Sequence, residues 1–356
     1  MISTSLQRVL LLSLAGIGNY LMQSVAIQAL RQAHPDWDIT VWVAPRGTKP
    51  LAAHDPSVDH VIEHPITGSY REQLAFIRQL AAGHFGVGIV LSPGQLIKSA
   101  AYLFLARIPT RIGHMYPLLG TTTSLLLTDA VVETPNMHDI EQNLHLLEKL
   151  GIPSKDWVGT SYVLTIPEEA RREAQTIMRG LNIPVDKPLL GIHAGSAPHF
   201  LWKRWPLENF ATVAKELITK RNMHIILFGG PNEEDQKQQL RELIKQMLPI
   251  TNYQLPITIV TTSLLATAAL MQQCQAVVSN DSGLMHLAAA SGVKVYGLFG
   301  PTNEHETGPR GTKSFVIRTA GTSPVYNTEH SFNLGSKPHD SLLALTPDQV
   351  LAEIQL

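Results

Sequence analysis

Short apolar runs alternate with longer amphipathic stretches along the whole chain. In the first half the runs Arg8–Ser13, Ile39–Ala44, His60–Glu63, Val87–Leu91 and Ala130–Glu133 predict strands. Between them, Tyr20–Ala33, Tyr70–Ala81, Leu96–Ala106 and His138–Leu150 predict helices, with Gly, Pro, Asp and Asn at the joints. Runs without a polar alternation, such as Val9–Leu12, suit a parallel sheet covered on both faces, because neither face meets water.

The pattern then restarts. Leu189–His193, His224–Phe228, Ile257–Val260, Ala276–Ser279 and Lys294–Phe299 predict strands, and Leu207–Lys220, Glu233–Met247, Ser263–Gln273 and Gly283–Ser291 predict helices. Two successive βα arrays imply an α/β protein of two Rossmann-like, doubly wound domains facing across a cleft. The expected division is a first domain over 1–170, a linker over 171–187 rich in charge and bounded by prolines, a second domain over 188–345, and a closing helix over 346–356 that starts at Pro347. Ligands in such sheets sit beyond the carboxyl ends of the strands, which directs attention to the glycine-rich joints there.

Composition narrows the picture. Of 356 residues, 44% are apolar and 16% charged, so disorder is excluded. A net charge of -1 argues against a nucleic-acid partner, which needs a basic footprint. The balance is uneven: residues 1–170 hold 11 cationic against 14 acidic side chains, and the remainder 17 against 15. The single cysteine, Cys274, excludes an internal disulfide and a cysteine-based zinc cluster. The 15 histidines show no metal-ligand spacing, and no metal or cofactor is expected. The apolar run Val9–Gly18 is too short to span a membrane and meets Asn19, Gln23 and Gln28 at once. A cytoplasmic protein is expected, with peripheral contact at the inner face of the inner membrane left open.

Two joints in the second half point to anion binding. Ser279-Asn280-Asp281-Ser282-Gly283 ends a strand and opens a helix, whose first amides are unpartnered and whose dipole is positive. Ser282 and Gly283 therefore offer a diphosphate site, Asp281 a cap or an orienting group, and His286 a side chain one turn further in. His193-Ala194-Gly195-Ser196 followed by Lys203-Arg204-Trp205-Pro206 offers a serine donor and a lysine point charge for a diphosphate leaving group. In the first half, Gly16-Ile17-Gly18-Asn19 follows the first strand, but Leu21 stands where a dinucleotide loop needs its third glycine and Ala44 where it needs an acid. Asp36-Trp37-Asp38 reads as a surface turn rather than a metal site. Lys98, Arg107 and Arg111 are candidates for an anionic acceptor.

In order, His193-Ala194-Gly195-Ser196, Lys203-Arg204-Trp205-Pro206, Phe228-Gly229-Gly230-Pro231, Ser279 through His286 and Gly297-Leu298-Phe299-Gly300-Pro301-Thr302 resemble glycosyltransferase family 9, the heptosyltransferases of lipopolysaccharide core synthesis. The first half agrees through Gly16-Ile17-Gly18, Arg111-Ile112-Gly113 and His138. The resemblance implies a GT-B fold and an inverting, metal-independent transfer of heptose from ADP-heptose to a lipopolysaccharide-core glycan. It implies that Lys203 and Ser196 hold donor phosphates, Ser282 and Gly283 bind the diphosphate, Asp281 and His286 line the donor site, and Glu233 meets the ribose, with Glu234 competing. Gly18, Asn19, Lys98 and Arg111 fall to the acceptor.

One position departs. Members of the family commonly carry Asp after Gly-x-Gly as the base for the acceptor hydroxyl, and here that residue is Asn19. An amide orients a hydroxyl but cannot take its proton. Another base, a purely positioning Asn19, or a silent donor-binding protein are the resulting alternatives, with a nucleotide-sugar epimerase as a further one.

Overall fold

The structure, a computed structural model, describes residues 7–92, 96–116, 124–157, 159–248, 255–326 and 334–355. The chain divides into two compact units, Met1–Thr165 and Ile166–Leu356.

Among the described residues the first unit holds β1 (Arg8–Ser13), β2 (Asp38–Val43), β3 (His60–Glu63), β4 (Val87–Val90), β5 (Thr110–Met115) and β6 (Asp129–Val132), ordered β3-β2-β1-β4-β5-β6. The second holds β7 (Leu189–His193), β8 (His224–Leu227), β9 (Ile257–Ile259), β10 (Ala276–Asn280), β11 (Lys294–Leu298) and β12 (Ser314–Ile317), ordered β12-β11-β10-β7-β8-β9. These are the same winding, all parallel, and the strand order reverses between β1 and β4 and between β7 and β10. The fold is GT-B.

The all-apolar runs behave as burial requires. Val9, Leu10, Leu11 and Leu12 are each at most 1% exposed, because helices cover both faces of the sheet. Leu10, Leu12, Trp42, Phe76 and Leu103 centre one core, and Ile192, Trp205, Phe210, Ile225 and Val278 another. Each such side chain withdrawn from water contributes roughly 1.5–3 kcal/mol before entropy is charged against it.

The first helix spans Ile17–Ala33, so it opens directly after Gly16 instead of at Tyr20 and takes Gly18 and Asn19 into its first turn. His138 is an N-cap, its Nδ1 accepting from the Ile140 amide at 3.2 Å, and the helix Asp139–Leu147 ends in a 3-10 turn over Glu148–Leu150. The helix Glu168–Gly180, expected in the join, belongs to the second unit and packs on Leu264–Met271. There Glu173 accepts from the Ser263 hydroxyl at 2.7 Å. The closing helix runs Pro347–Glu353 behind a Thr346 cap; Leu356 lies outside the described residues.

Candidate functional site

The carboxyl ends of β7 and β10 lie side by side, with His193 paired in register to Ser279. That neighbourhood is the switch point of the second sheet, where doubly wound folds bind ligands. The two joints expected to bind anions therefore lie together at one site.

Asn280 staples the joints together. Its Nδ2 donates to the Ala194 carbonyl at 2.6 Å, and its Oδ1 accepts from the Trp205 amide at 3.0 Å. It is fully buried, so both partners would be orphaned on truncation. Asn280→Ala is expected to cost about 1–3 kcal/mol in urea unfolding; an unchanged midpoint would remove the staple from the account. Sequence reasoning passed over Asn280, whose only sign was a polar residue at the end of an apolar strand.

Lys203 and Asp281 meet across the joint, Nζ to Oδ2 at 2.7 Å, both largely buried. Burial alone would push the Asp281 carboxyl up, but the charge and hydrogen bond of Lys203, with His286 and Thr302, hold it below the usual carboxylate range. Asp281 does not cap the helix Gly283–Ala290. Ser282 does, its Oγ accepting from the Met285 amide at 3.3 Å. His286 is buried and burial lowers its pKa to about 4, against the pull of Asp281, so it is a neutral imidazole at pH 7.

His193 bridges the site's two edges. Nε2 lies 3.3 Å from Glu233 Oε1, and Nδ1 lies 3.0 Å from Ser282 Oγ. A carboxylate only accepts, so Nε2 carries a proton toward Glu233 while Nδ1 faces the serine hydroxyl. Burial raises the Glu233 carboxyl, yet the His193 hydrogen bond and charge, the Gly230 amide at 2.8 Å and Arg204 bring it below its ordinary value. A Cβ on Gly195 would lie 1.6 Å from Glu233 Oε1, so the glycine is what lets this carboxylate lie against the loop.

Several expected roles change. The Ser196 hydroxyl donates to the Phe200 carbonyl at 2.8 Å and accepts from Arg204 Nε at 3.0 Å, so it shapes the loop and is not a free phosphate donor. The Ser282 hydroxyl is likewise engaged, by His193 and the Met285 amide. Glu234 is removed from the ribose competition by Lys237, 2.8 Å away, and by the Thr261 hydroxyl at 3.0 Å. Glu233 keeps lone pairs that these contacts do not use.

In the first unit, Gly18 and Asn19 occupy the first turn of the helix Ile17–Ala33, which has no acidic residue there and no side-chain cap on Gly16. A Cβ on Gly16 would meet nothing within 4 Å. Gln23 and Asn143 both bond the Ser92 backbone beside it. Lys98 is exposed on the helix Leu96–Leu105. Arg111 is corrected: its guanidinium donates to the carbonyls of Leu126 and Ile108, each at 2.7 Å, and ties β5 to its flanking loops. Asp36-Trp37-Asp38 lies at the opposite, amino end of β2, with Asp38 paired to Arg8 at 3.1 Å.

A model of glycosyltransferase family 9 (heptosyltransferase) matches residues 73–333, well over half of the chain. The chain belongs to glycosyltransferase family 9. It is 29% identical to lipooligosaccharide heptosyltransferase 2 of Haemophilus influenzae, over 97% of this chain and 98% of that one. It is 27% identical to lipopolysaccharide heptosyltransferase 2 of Escherichia coli, over 98% and 97%. Among solved structures, the E. coli ADP-heptose lipopolysaccharide heptosyltransferase II superposes with a TM-score of 0.74 at 24% identity, covering 98% of this chain and 97% of that one. A family 9 glycosyl transferase from Veillonella parvula reaches 0.78 at 23% identity, covering 97% and 95%. This family 9 member is a glycosyltransferase by that kinship, and its switch-point site lies in the second of its two units. Among its described residues no helix is long and apolar enough to cross a membrane.

Proposed function

We propose that the protein transfers heptose from ADP-heptose to the inner core of a lipopolysaccharide or lipooligosaccharide, with inversion and without a metal. The observation that carries the reading is the joined β7–β10 site, where a buried lysine, a helix N-terminus and a ribose-competent carboxylate converge. Its named relatives act in heptose transfer, which supports this donor and this acceptor class.

In this reading the amides at Ser282 and Gly283 receive the diphosphate, and Lys203 bridges it to Asp281. Without the donor, Asp281 offsets the cost of burying the ammonium. With it, the ammonium neutralises charge growing on the leaving diphosphate as the glycosidic bond breaks. Glu233 accepts from the ribose, and His286 stays neutral beside Asp281, so no second cation competes for the carboxylate. The first unit takes the acceptor, with Asn19 orienting its hydroxyl and Lys98 available to an anionic group.

Thermal unfolding with nucleoside diphosphates tests donor choice. ADP at one hundred times its Kd should add about 2.7 kcal/mol of stability, while UDP and GDP add little. Protection by UDP in place of ADP would overturn the donor assignment. Incubation with ADP-heptose and a core acceptor should yield the extended glycan; donor binding without transfer would favour the silent alternative, and donor conversion without acceptor the epimerase.

A further inference from the structure

The Lys203 ammonium is enclosed by more than Asp281. Its Nζ lies 5.3 Å from the ring centre of Phe200, 5.6 Å from that of Trp202 and 5.7 Å from that of Tyr326. The rings pack on one another, Phe200 on Trp202 at 5.3 Å and Trp202 on Tyr326 at 4.9 Å. Three aromatic faces within 6 Å of one cation form a collar, since each ring presents its negative face to the ammonium.

Two of these rings shortly precede the lysine in sequence; Tyr326 comes from 123 residues away. It is delivered by backbone. The amides of Val325 and Tyr326 both donate to the Pro301 carbonyl at 2.8 Å, just past the carboxyl end of β11. Gly300-Pro301 thereby acquires a task that its position in the fold did not announce: it hangs the Tyr326 ring over the site lysine. The carbonyl of Trp202 in turn accepts from the His339 amide at 3.1 Å, bracing the other side of the collar.

We propose that Tyr326 is a positioning residue for donor binding: it closes an aromatic collar that holds the Lys203 ammonium, largely stripped of water, at the place where the diphosphate arrives. The proposal rests on the reading of Lys203 as a donor-phosphate ligand. A lysine carries its charge on a flexible four-carbon stem, and ordering that stem opposes binding. The collar orders it beforehand, and the cation–π attraction replaces part of the lost hydration.

The test is ADP titration calorimetry on the full chain. Tyr326→Leu should weaken ADP about 5-fold, whereas Tyr326→Phe, which keeps the ring face, should stay within about 2-fold of the parent. In a Lys203→Ala background, Tyr326→Leu should cause no further loss, because the group it positions is gone. Melting curves of each variant establish that the fold is retained. Equal losses in both backgrounds, equal losses for Leu and Phe, or parental affinity in Tyr326→Leu would each overturn the collar. Unchanged ADP affinity in Lys203→Ala alone would instead overturn the phosphate role of the lysine, and the collar with it.

Discussion

Lys203→Ala is expected to weaken ADP binding by roughly 10- to 100-fold, the loss that goes with one charge-assisted contact of about 1.5–3 kcal/mol. It should also destabilise the free protein, because it leaves the Asp281 carboxylate buried without its 2.7 Å partner. Removing one member of a buried pair costs about 3–5 kcal/mol, and part of that is relieved here when Asp281 takes up a proton. The two losses separate in the double variant Lys203→Ala/Asp281→Asn. The amide carries no charge to strand, so stability should recover, whereas ADP affinity should stay low because no ammonium has been restored. Urea unfolding reads the first quantity and calorimetry the second. If the double variant regained parental ADP affinity, the lysine would have been acting only through Asp281, and the phosphate would be held by the helix amides alone.

That pair also marks where reading the sequence stops being enough. Lys203 and Asp281 are 78 positions apart, and each was legible alone as a feature of a strand-to-helix joint. Their meeting depends on β7 lying against β10, which follows from the strand order and not from either local pattern. The same holds for His193 and Glu233, drawn together because β8 flanks β7 on its other side. Ser196 and Ser282 look like phosphate donors in isolation, but their hydroxyls are engaged by Phe200, Arg204, His193 and Met285.

At the level of elements, the apolar runs located strands closely, and the two that escaped have specific reasons. β5, Thr110-Arg111-Ile112-Gly113-His114-Met115, hides its burial behind an arginine, a glycine and a histidine, although Ile112 and His114 are buried. β12 is an edge strand with Phe315 and Val316 half exposed, so it lacks the sustained burial that made β1 obvious. Tyr326 left no sign at all, since an isolated aromatic in a polar tail has no periodicity to read. Asn19 is the reverse case: its position is clear from Gly16-Ile17-Gly18, and the structure sets it in the first turn of the helix Ile17–Ala33, where its amide cannot take up a proton.

Acid should unfold this protein early, beginning below pH 6.5 and before its carboxylates titrate. His114, His224 and His286 are each buried, and burial lowers each to about 4 from an ordinary value of 6.5. The unfolded chain therefore binds protons that the folded chain refuses between those two values, and stability falls as pH falls through that window. At pH 5 each histidine should account for about 2 kcal/mol, so the first unit loses about 2 kcal/mol through His114 and the second about 4 kcal/mol through His224 and His286, from totals that for a domain are about 5–15 kcal/mol. Asp281 and Glu233 act lower down: their folded values lie below the ordinary ones, so their contribution is complete above the unfolded carboxylate range and is lost only as pH drops through it. Urea midpoints measured from pH 8 to pH 5 should decline steadily below 6.5. His114 supplies the control, being in the first unit and away from the donor site, with Nε2 3.1 Å from the Gln142 carbonyl. His114→Gln can still donate to that carbonyl and cannot titrate, so it should flatten the decline in the unfolding of the first unit while leaving the decline of the second unit, due to His224 and His286. A midpoint constant across this range would mean that the buried histidines accept protons in place, and that the neutral His286 assumed beside Asp281 is wrong.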